Sequence, residues 1–321
     1  MKILITGATG LVGSAIVKEA LKRKYSIHFL TTRKKKIVNK DNLKGFYWNP
    51  TEKEIDVSCF EGVDAIIHLA GASIGKYWTD KYVNKIYLSR KISSELLYDS
   101  IKELKGKHHI ENFISASAIG IYPTSASTFY NESAPVIRYS LMEKIVYHWE
   151  KAVSQIATLK IPVTKLRIGL VLARDGGVLG KLKIPISLGL GAAFGNGKQG
   201  QSWIHIDDLV TMFLSCIEQD MDGVFNAVSP YPVSQSDMIK EFSKVLQKPY
   251  FMPPIPAFLV RKLLGRMSVL VLDSHWVSAF KILDTGFKFK FPKLKDALLD
   301  LYPPISSKHP YVEKPRRKVT F

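Results

Sequence analysis

The chain has 321 residues, of which 46% are hydrophobic and 11% aromatic, and its formal net charge is +18. This length and composition exclude a disordered chain and are typical of a globular protein with a full core. No apolar run approaches the ~20 residues of a membrane-spanning helix, and the two cysteines are too few for a disulfide framework or a metal site, which favours a reducing, cytoplasmic location.

Part of the positive charge is concentrated in RKKK (33–36) and in the C-terminal residues 304–321, which we expect to form a basic, loosely held tail. A basic surface can attract nucleic acid or anionic lipid. However, the sequence has no recognisable nucleic-acid module and no basic stretch interleaved with aromatic residues. We therefore expect no nucleic-acid and no membrane partner, and assign part of the charge to an anionic cofactor or small-molecule substrate.

Strand-like and helix-like segments alternate along the first half of the chain. Each strand is a short apolar run, and each helix carries apolar residues at helical spacing. The predicted strands are KILIT, IHFLTT, KGFYW, DAIIHLA, NFISASA and PVTKLRIGLVL, and the predicted helices are LVGSAIVKEALKRK, 78–104 and 141–159. This βαβ order predicts an α/β fold with a doubly wound parallel sheet of the Rossmann type.

The sequence changes character after about Arg174, where glycine and proline cluster in residues 175–201. DDLVTMFLSCIEQ predicts a helix with Asp207 as its N-cap, and GVFNAV predicts a further strand. Residues 231–301 indicate a smaller, mainly helical region. Its most apolar element, PPIPAFLVRKLLGRM, is predicted to belong to the core, with a groove-lining helix as the alternative.

The strongest local signal is TGATGLVG, between the first strand and the first helix. Gly7 would allow a tight turn, Gly10 the approach of a pyrophosphate and Gly13 close packing of helix on strand. The pyrophosphate would then bind free N–H groups at the helix N-terminus. Any tight strand-to-helix turn can use glycines, but this position in a βαβ unit favours a dinucleotide site. The predicted cofactor-binding residues are Gly7, Thr9, Gly10, Leu11, Val12 and Gly13.

The end of the second strand distinguishes between nicotinamide cofactors. NAD sites usually place Asp or Glu there to bind the ribose 2′-hydroxyl, whereas NADP sites use Arg. This chain has Thr32 and Arg33, with no acidic residue in reach. Thr32 can donate a hydrogen bond, and Arg33 can bind a 2′-phosphate with two parallel hydrogen bonds. An exposed basic turn is the alternative, but the pattern favours NADP (NADPH).

Four motifs in this order, GATGLVG, DAIIHLAGA, SASAIGIY and WIHIDDL, resemble the extended short-chain dehydrogenase/reductase superfamily. Longer stretches resemble one of its branches, an NAD(P)-dependent epimerase/dehydratase-like family with a C-terminal domain of unknown function. These are HLAGASI, HWE, LRIGLVLARDGGVLGKL, GNGKQGQSWIHIDD and ILDTGFKFKFPKLKDAL. The resemblance extends from Met1 to about Tyr302.

This resemblance implies a Rossmann domain that binds NADP and a small C-terminal substrate domain. It places Leu69 and Ala70 along the cofactor, Arg90 near its phosphates and Leu170 close to the nicotinamide. It also admits a homodimer formed through helices on the flank of the sheet. The predicted division is an NADP-binding Rossmann domain at 1–175 (with 205–228 returning to it), a substrate domain at 176–204 and 229–303, and a tail at 304–321.

Residues 147–151, YHWEK, spell the Tyr-x-x-x-Lys pair that performs proton transfer in active members of the superfamily. Their helix has an apolar stripe centred on Trp149. At about 100° per residue, Tyr147 and Lys151 lie roughly 160° from Trp149, on the predicted solvent face. The resemblance places the usual tyrosine near Leu141 and Met142, and its lysine near the next turn. We therefore interpret YHWEK as a coincidence.

Without that pair, the candidates for acid/base chemistry are Ser117, which could hold a substrate carbonyl, and Tyr122, which could donate a proton. His205 could also reach the pocket, although structural histidines are common beside an N-cap. Further residues could contact substrate or cofactor, with surface or core roles as the alternative. These are Lys76, Lys85, Phe194 and Trp203.

The sequence favours an NADP-dependent oxidoreductase or epimerase-type enzyme that acts on a small substrate between the two domains. The alternative is a catalytically silent NADP-binding protein that acts as a redox sensor or an assembly partner. The missing Tyr-Lys pair favours this alternative, whereas the elaborate loop GLGAAFGNGKQGQSW favours a real ligand pocket.

Overall fold

The computed structural model describes residues 1–174 and 176–304, so residues 305–321 of the predicted basic tail lie outside the described residues. Fifteen strands are assigned within this part of the chain. They are β1 (Lys2–Thr6), β2 (Ser26–Thr31), β3 (Asn39–Lys40), β4 (Leu43–Asn49), β5 (Glu54–Ile55), β6 (Ala65–His68), β7 (Asn112–Ala118), β8 (Phe129–Tyr130), β9 (Val163–Ile168), β10 (Leu170–Ala173), β11 (Gly200–Gln201), β12 (Trp203–His205), β13 (Gly223–Ala227), β14 (Val233–Ser234) and β15 (Trp276–Val277).

Ten α-helices accompany these strands in the described residues. They are α1 (Leu11–Lys22), α2 (Asp80–Glu103), α3 (Leu141–Ser154), α4 (Gly177–Ser187), α5 (Ile206–Glu218), α6 (Gln235–Val245), α7 (Ala257–Leu264), α8 (Val269–Leu272), α9 (Phe280–Asp284) and α10 (Leu294–Leu301). Among them, we find none that combines the length and the apolar character needed to cross a bilayer.

The central sheet has the strand order β13-β9-β7-β6-β1-β2-β4-β3, with β5 attached to β4. All neighbours from β13 to β4 pair in parallel, and only β3 and β5 are antiparallel. The chain winds outward from β1 in both directions, so the carboxyl ends of β1 and β6 form the topological switch point where such sheets bind ligands. The predicted α/β Rossmann fold is confirmed.

Both faces of this sheet are covered. Ile3, Leu4 and Ile5 of β1 are fully buried, as expected for a central parallel strand between two helical layers. Helix α1 packs beside α5, and α2 packs beside α3. The carboxyl edge of the sheet is therefore the side from which loops can build a site.

The predicted strand PVTKLRIGLVL is interrupted at Gly169. A Cβ there would collide with the carbonyl oxygen of Ser202. The amide of Leu170 donates instead to that carbonyl over 2.8 Å. As a result β10 leaves the central sheet and pairs in parallel with β12, which directs Leu170 toward the C-terminal region.

The C-terminal region has its own apolar core beneath α4, α6 and α10. Trp203, Met238, Phe242 and Leu298 are among its buried members. The carboxylate of Asp208, at the start of α5, accepts the amides of Lys290 and Phe291 over 2.7 and 3.0 Å. These bonds attach the C-terminal segment to a helix that flanks the central sheet.

Three local expectations require correction. The N-cap of α5 is His205 rather than Asp207, because the His205 ring nitrogen accepts the Asp207 amide over 3.1 Å. Helix α3 ends at Ser154 and continues as a 3₁₀ helix over Gln155–Leu159. The apolar segment predicted as core forms α7, in which Val260 alone is buried.

Candidate functional site

The glycine turn after β1 has the shape of a dinucleotide cradle. Gly7 has a φ of +69°, and a Cβ on it would lie 2.9 Å from the backbone of Leu69. A Cβ on Gly13 would collide with the Gly7 carbonyl, so the start of α1 can pack against the turn only with glycine there. The N-cap of α1 is Gly10, and no side chain of the described residues caps it. The first N–H groups of α1 are thus directed toward the cradle for an anionic ligand.

A hydroxyl joins the two strands of the switch point. Thr6 Oγ1 accepts the amides of Leu69 and Ala70 over 3.0 and 3.1 Å. It also lies 2.8 Å from Nδ1 of His68. With two N–H groups already donating to the oxygen, the Thr6 proton is assigned to His68. The backbone of the two predicted cofactor-lining residues is therefore held by the last residue of β1.

The contacts of the second ring nitrogen indicate the protonation state of His68. Its Nε2 lies 3.2 Å from Ser94 Oγ, which donates in turn to the Arg90 carbonyl over 2.8 Å. His68 therefore accepts at Nδ1 and donates at Nε2, which requires a neutral ring. Burial, followed by the nearby Arg90 charge, lowers the pKa of His68 to about 3.

Arg90 lies directly behind the segment that follows β6. One of its guanidinium nitrogens donates to the carbonyls of Ala72 and Ile86 over 3.1 and 3.0 Å. The guanidinium carbon lies 5.0 Å from the centre of the Trp149 ring, and Gly71 packs on it without a side chain. Burial lowers the pKa of Arg90 to about 10, so the group stays charged at neutral pH. Arg90 places positive charge beneath the cradle, but its bonds go to carbonyls of the chain.

The end of β2 presents its side chains to solvent. Thr32 and Arg33 are both exposed, and the Arg33 amide donates to Thr31 Oγ1 over 3.2 Å. Within the described residues, the Arg33 guanidinium has no carboxylate within ion-pair distance. Next to it, Lys34 lies over the ring of Tyr47. Arg33 is thus available to an anionic group at this edge.

The two predicted catalytic residues belong to a closed, buried network. Ser117 Oγ donates to Glu150 Oε1 over 2.5 Å, and Arg167 donates to both oxygens of Glu150 over 2.9 and 3.0 Å. Arg167 also donates to the Tyr122 hydroxyl, which donates to Asn226 over 2.8 Å. Burial raises the pKa of Tyr122. Both hydroxyl groups are thus engaged with side chains of the protein, and their catalytic roles stay predictions.

The YHWEK segment lies on the outer side of α3, in agreement with the interpretation from sequence. Lys151 is exposed, and Tyr147 is half-buried under the guanidinium of Arg138, 4.7 Å from its ring centre. Trp149 is buried on the opposite side. Arg138 and Lys144 line a hollow of about 550 Å³ on this outer surface.

A cavity of about 330 Å³ lies at the start of α3, beside Leu141 and Met142. Its lining joins the start of α3 to the segment around α8: Ser140, Leu141, Met142, Arg266, Val269 and Asp273. Arg266 is paired with Asp80 at the start of α2, over 2.5 Å. Burial, followed by the charge of Glu143, raises the pKa of Asp273. The cavity thus combines apolar walls with one carboxyl group that is shifted toward its protonated form.

The remaining residues that were predicted to contact substrate or cofactor lie in different environments. His205 is buried against Phe291 with its second ring nitrogen 3.4 Å from Asp300, and the Trp203 indole donates to the Tyr231 carbonyl over 3.1 Å. Both are structural. The other candidates are either half-buried or exposed: Leu170 and Phe194 are half-buried, whereas Lys76 and Lys85 are exposed.

Sequence reasoning missed Thr6, His68 and Asp273. Thr6 stands directly before the glycine motif, and His68 directly before the predicted Leu69–Ala70 contact, so their positions were available as a signal. Asp273 had none, because it follows an apolar helix far from any motif and reaches the cavity only through tertiary folding.

Replacing Thr6 with Val should leave the amides of Leu69 and Ala70 and the His68 ring without their partner. Each buried unsatisfied group costs about 1–3 kcal/mol. We expect the free energy of unfolding in urea to fall by at least about 2 kcal/mol. Thr6→Ser retains the hydroxyl and serves as the control, with a loss below about 1 kcal/mol. Equal losses in both variants would contradict the role assigned to the hydroxyl.

Stability should depend on pH through His68. The unfolded ring takes up a proton below about pH 6.5, whereas the folded ring does so only near pH 3. His68 therefore lowers stability as pH falls through this window, by roughly 1.4 kcal/mol per unit once the pH is well below 6.5. Between pH 7 and pH 5, the free energy of unfolding in urea should fall by about 2 kcal/mol less in His68→Gln than in the wild type. Identical losses would show that His68 is not held neutral.

Comparison with known proteins agrees with this geometry. Residues 3–227 match the family model described as the NAD dependent epimerase/dehydratase family, and residues 255–301 match a domain of unknown function, DUF1731. The epimerase family protein SSP1921 of Staphylococcus saprophyticus is 36% identical over 93% of this chain and 98% of its own length. The epimerase family protein SAR0825 of Staphylococcus aureus is 35% identical over the same shares.

Solved structures give the same result. The human epimerase family protein SDR39U1, crystallised with NADPH, superposes with a TM-score of 0.81 at 25% identity, covering 94% of this chain and 99% of that one. UDP-glucose 4-epimerase from Thermotoga maritima, at 20% identity and a TM-score of 0.74 over 93% and 97% of the two chains, shares the fold. The chain belongs to the NAD dependent epimerase/dehydratase family, in the branch that carries the DUF1731 domain at its C-terminal end.

Proposed function

We propose that this chain is an NADP-dependent oxidoreductase or epimerase-like enzyme that acts on a small substrate. The observation that carries the choice of NADP is the end of β2, where Thr32 and Arg33 are exposed and the described residues place no carboxylate within ion-pair distance of Arg33. A carboxylate there would repel a 2′-phosphate, whereas a guanidinium binds it with charge-assisted hydrogen bonds. The NADPH in the crystals of the human relative supports the same choice.

The residues of the crevice have distinct tasks in this proposal. The turn at Gly7 and Gly13 and the start of α1 would hold the pyrophosphate. Leu69 and Ala70, held by Thr6, would line the cofactor, and Leu170 would lie near the nicotinamide. NADPH, when bound, supplies a hydride. The residues of the chain must then bind and orient a carbonyl compound and provide the accompanying proton.

Asp273 is our candidate for that proton. It lines the cavity at the start of α3, beside Leu141 and Met142, where the sequence resemblance implies that the superfamily's tyrosine would lie. Its raised pKa keeps part of the carboxyl protonated at higher pH than an exposed aspartate. A protonated carboxyl can donate to a substrate carbonyl oxygen and accept the proton back from the alcohol in the reverse direction. Arg266, across the cavity, would orient an anionic substrate.

The second candidate function is a catalytically silent NADP-binding sensor or assembly protein. It is favoured by the apolar side chains at the start of α3, since Leu141, Met142 and Ile145 cannot transfer protons. Ile145 is buried in a cluster with Trp78 and Met267. The two functions share the cofactor site and differ in whether bound NADPH is ever oxidised.

Arg33→Ala should weaken NADPH binding by about tenfold to a hundredfold, because a charge-assisted contact to the 2′-phosphate is worth roughly 1.5–3 kcal/mol. NADH affinity should be unchanged, since NADH lacks that phosphate. Fluorescence titration of both nucleotides measures the effect. Lys35→Ala, which removes an exposed charge from the same loop, is the control and should lose less than threefold. Equal losses for NADPH and NADH in Arg33→Ala would contradict an NADP site.

Oxidation of NADPH at 340 nm in the presence of small ketones and the keto forms of nucleotide sugars separates the enzyme from the sensor. Activity should fall as pH rises through the pKa of Asp273, because the donor must be protonated, and Asp273→Asn should remove this dependence together with most of the rate. Tyr147→Phe should retain full activity. A rate lost in Tyr147→Phe and retained in Asp273→Asn would contradict the assignment, and oxidation by no compound would favour the sensor.

A further inference from the structure

Large apolar side chains are exposed on two segments of the C-terminal region. Each of six such residues has more than half of its surface exposed to solvent, where a soluble domain normally places polar groups. We call this set the apolar face: Ile184 (67%), Leu188 (70%), Leu190 (53%), Phe251 (70%), Phe258 (66%) and Leu263 (72%).

The two segments adjoin each other. A Cβ on Gly189 would lie 3.8 Å from the ring of Pro249. A few residues further on, the amide of Ile255 donates to the Ala193 carbonyl over 2.7 Å, and the Gly195 amide donates to the Ile255 carbonyl over 2.8 Å. These contacts connect the end of α4 with the chain that leads into α7. The exposed side chains therefore belong to one neighbourhood of the surface.

Helix geometry explains why these side chains point outward. Ile184, in the last turn of α4, and Leu188, directly after the helix, are four residues apart and thus lie on one exposed side. On α7, Val260 is buried. Phe258 lies two residues before it, at about 160° around the helix, and thus faces away from the protein. Lys262, four residues after Phe258, lies beside it on the same exposed side.

The charge of both segments has one sign. Residues 176–204 contain three Lys and no acidic residue, and residues 246–266 contain two Lys, two Arg and no acidic residue. One of these cations, Arg266, is paired with Asp80 from α2. The exposed Lys248, Arg261 and Lys262 flank the phenylalanines and leucines of the face. Apolar side chains on segments that carry Lys and Arg but no acidic residue are the pattern of peptides and helices that lie in the interface of anionic membranes.

We infer that the apolar face docks peripherally on an anionic lipid surface. A bilayer interface accepts exposed Phe and Leu side chains at the headgroup boundary and attracts Lys and Arg by its surface potential. A nucleic acid would use the cations but leave these aliphatic side chains in water. This inference departs from the expectation of no membrane partner. That expectation rested on the absence of a basic stretch interleaved with aromatic residues, whereas the face is assembled from two separate segments.

The test is cosedimentation of the full-length protein with vesicles. Vesicles of phosphatidylcholine containing phosphatidylglycerol should bind the protein at about 0.15 M salt, and vesicles of phosphatidylcholine alone should bind it at least about tenfold more weakly. Phe258→Ser/Leu263→Ser should reduce binding about tenfold or more, because it removes two side chains that would enter the interface. Arg261→Glu/Lys262→Glu should have an effect at least as large.

Two controls make the result specific to the face. Val57→Ser/Phe280→Ser removes two apolar side chains that are 53% and 72% exposed elsewhere, and should bind as the wild type does. Arg316→Glu/Arg317→Glu alters the C-terminal basic residues and should retain most of the binding. Unchanged melting temperature and NADPH affinity in Phe258→Ser/Leu263→Ser would show that folding and the cofactor site are intact.

The inference is overturned if binding survives Phe258→Ser/Leu263→Ser, or if the Arg316/Arg317 variant alone abolishes it. It is also overturned if the protein binds heparin but no vesicles. This surface does not depend on the proposed reaction. A wild-type protein that binds vesicles but does not bind NADPH would therefore count against the proposed function only.

Discussion

The carboxyl ends of β1 and β6 are joined by one hydroxyl, and the candidate site depends on this joint. Thr6 Oγ1 holds the amides of Leu69 and Ala70 and passes its proton to a neutral His68. The glycine turn approaches Leu69 so closely that no Cβ fits between them. The position of one wall of the cradle relative to the other is therefore fixed by hydrogen bonds to Thr6, and the bond from the Thr6 hydroxyl to His68 requires a neutral ring.

Two separate groups of polar side chains lie near α3: a buried hydrogen-bond network and the carboxyl group of the cavity. The strand serine and the tyrosine that follows it are engaged by Glu150, Arg167 and Asn226, which join β7 to α3, β9 and β13. A buried ion pair of this kind is costly to break, because each partner would be left with an unpaired charge. The cavity nearby has apolar walls and receives its carboxyl group from the C-terminal region. Chemistry in this protein would thus depend on the C-terminal region that matches the domain of unknown function.

Local patterns in the sequence predicted much of the fold. The glycine spacing predicted the turn, the apolar stripe predicted the orientation of α3, and the βαβ alternation predicted a doubly wound parallel sheet. Thr6 and His68 meet only because β1 pairs with β6, which lies some sixty positions further along the chain, and no local pattern carries that information. The prediction for α7 was wrong for the opposite reason: its composition predicts burial, but in the structure Val260 is its one buried residue. A backbone break such as that at Gly169 likewise depends on a distant carbonyl.

The most direct measurement is a crystal structure of the protein grown with NADPH. We expect the pyrophosphate to bind at the start of α1 and the 2′-phosphate to lie within hydrogen-bonding distance of the Arg33 guanidinium. We also expect the nicotinamide to face the cavity that Asp273 lines. A 2′-phosphate left in solvent, or a nicotinamide that faces away from this cavity, would contradict these expectations.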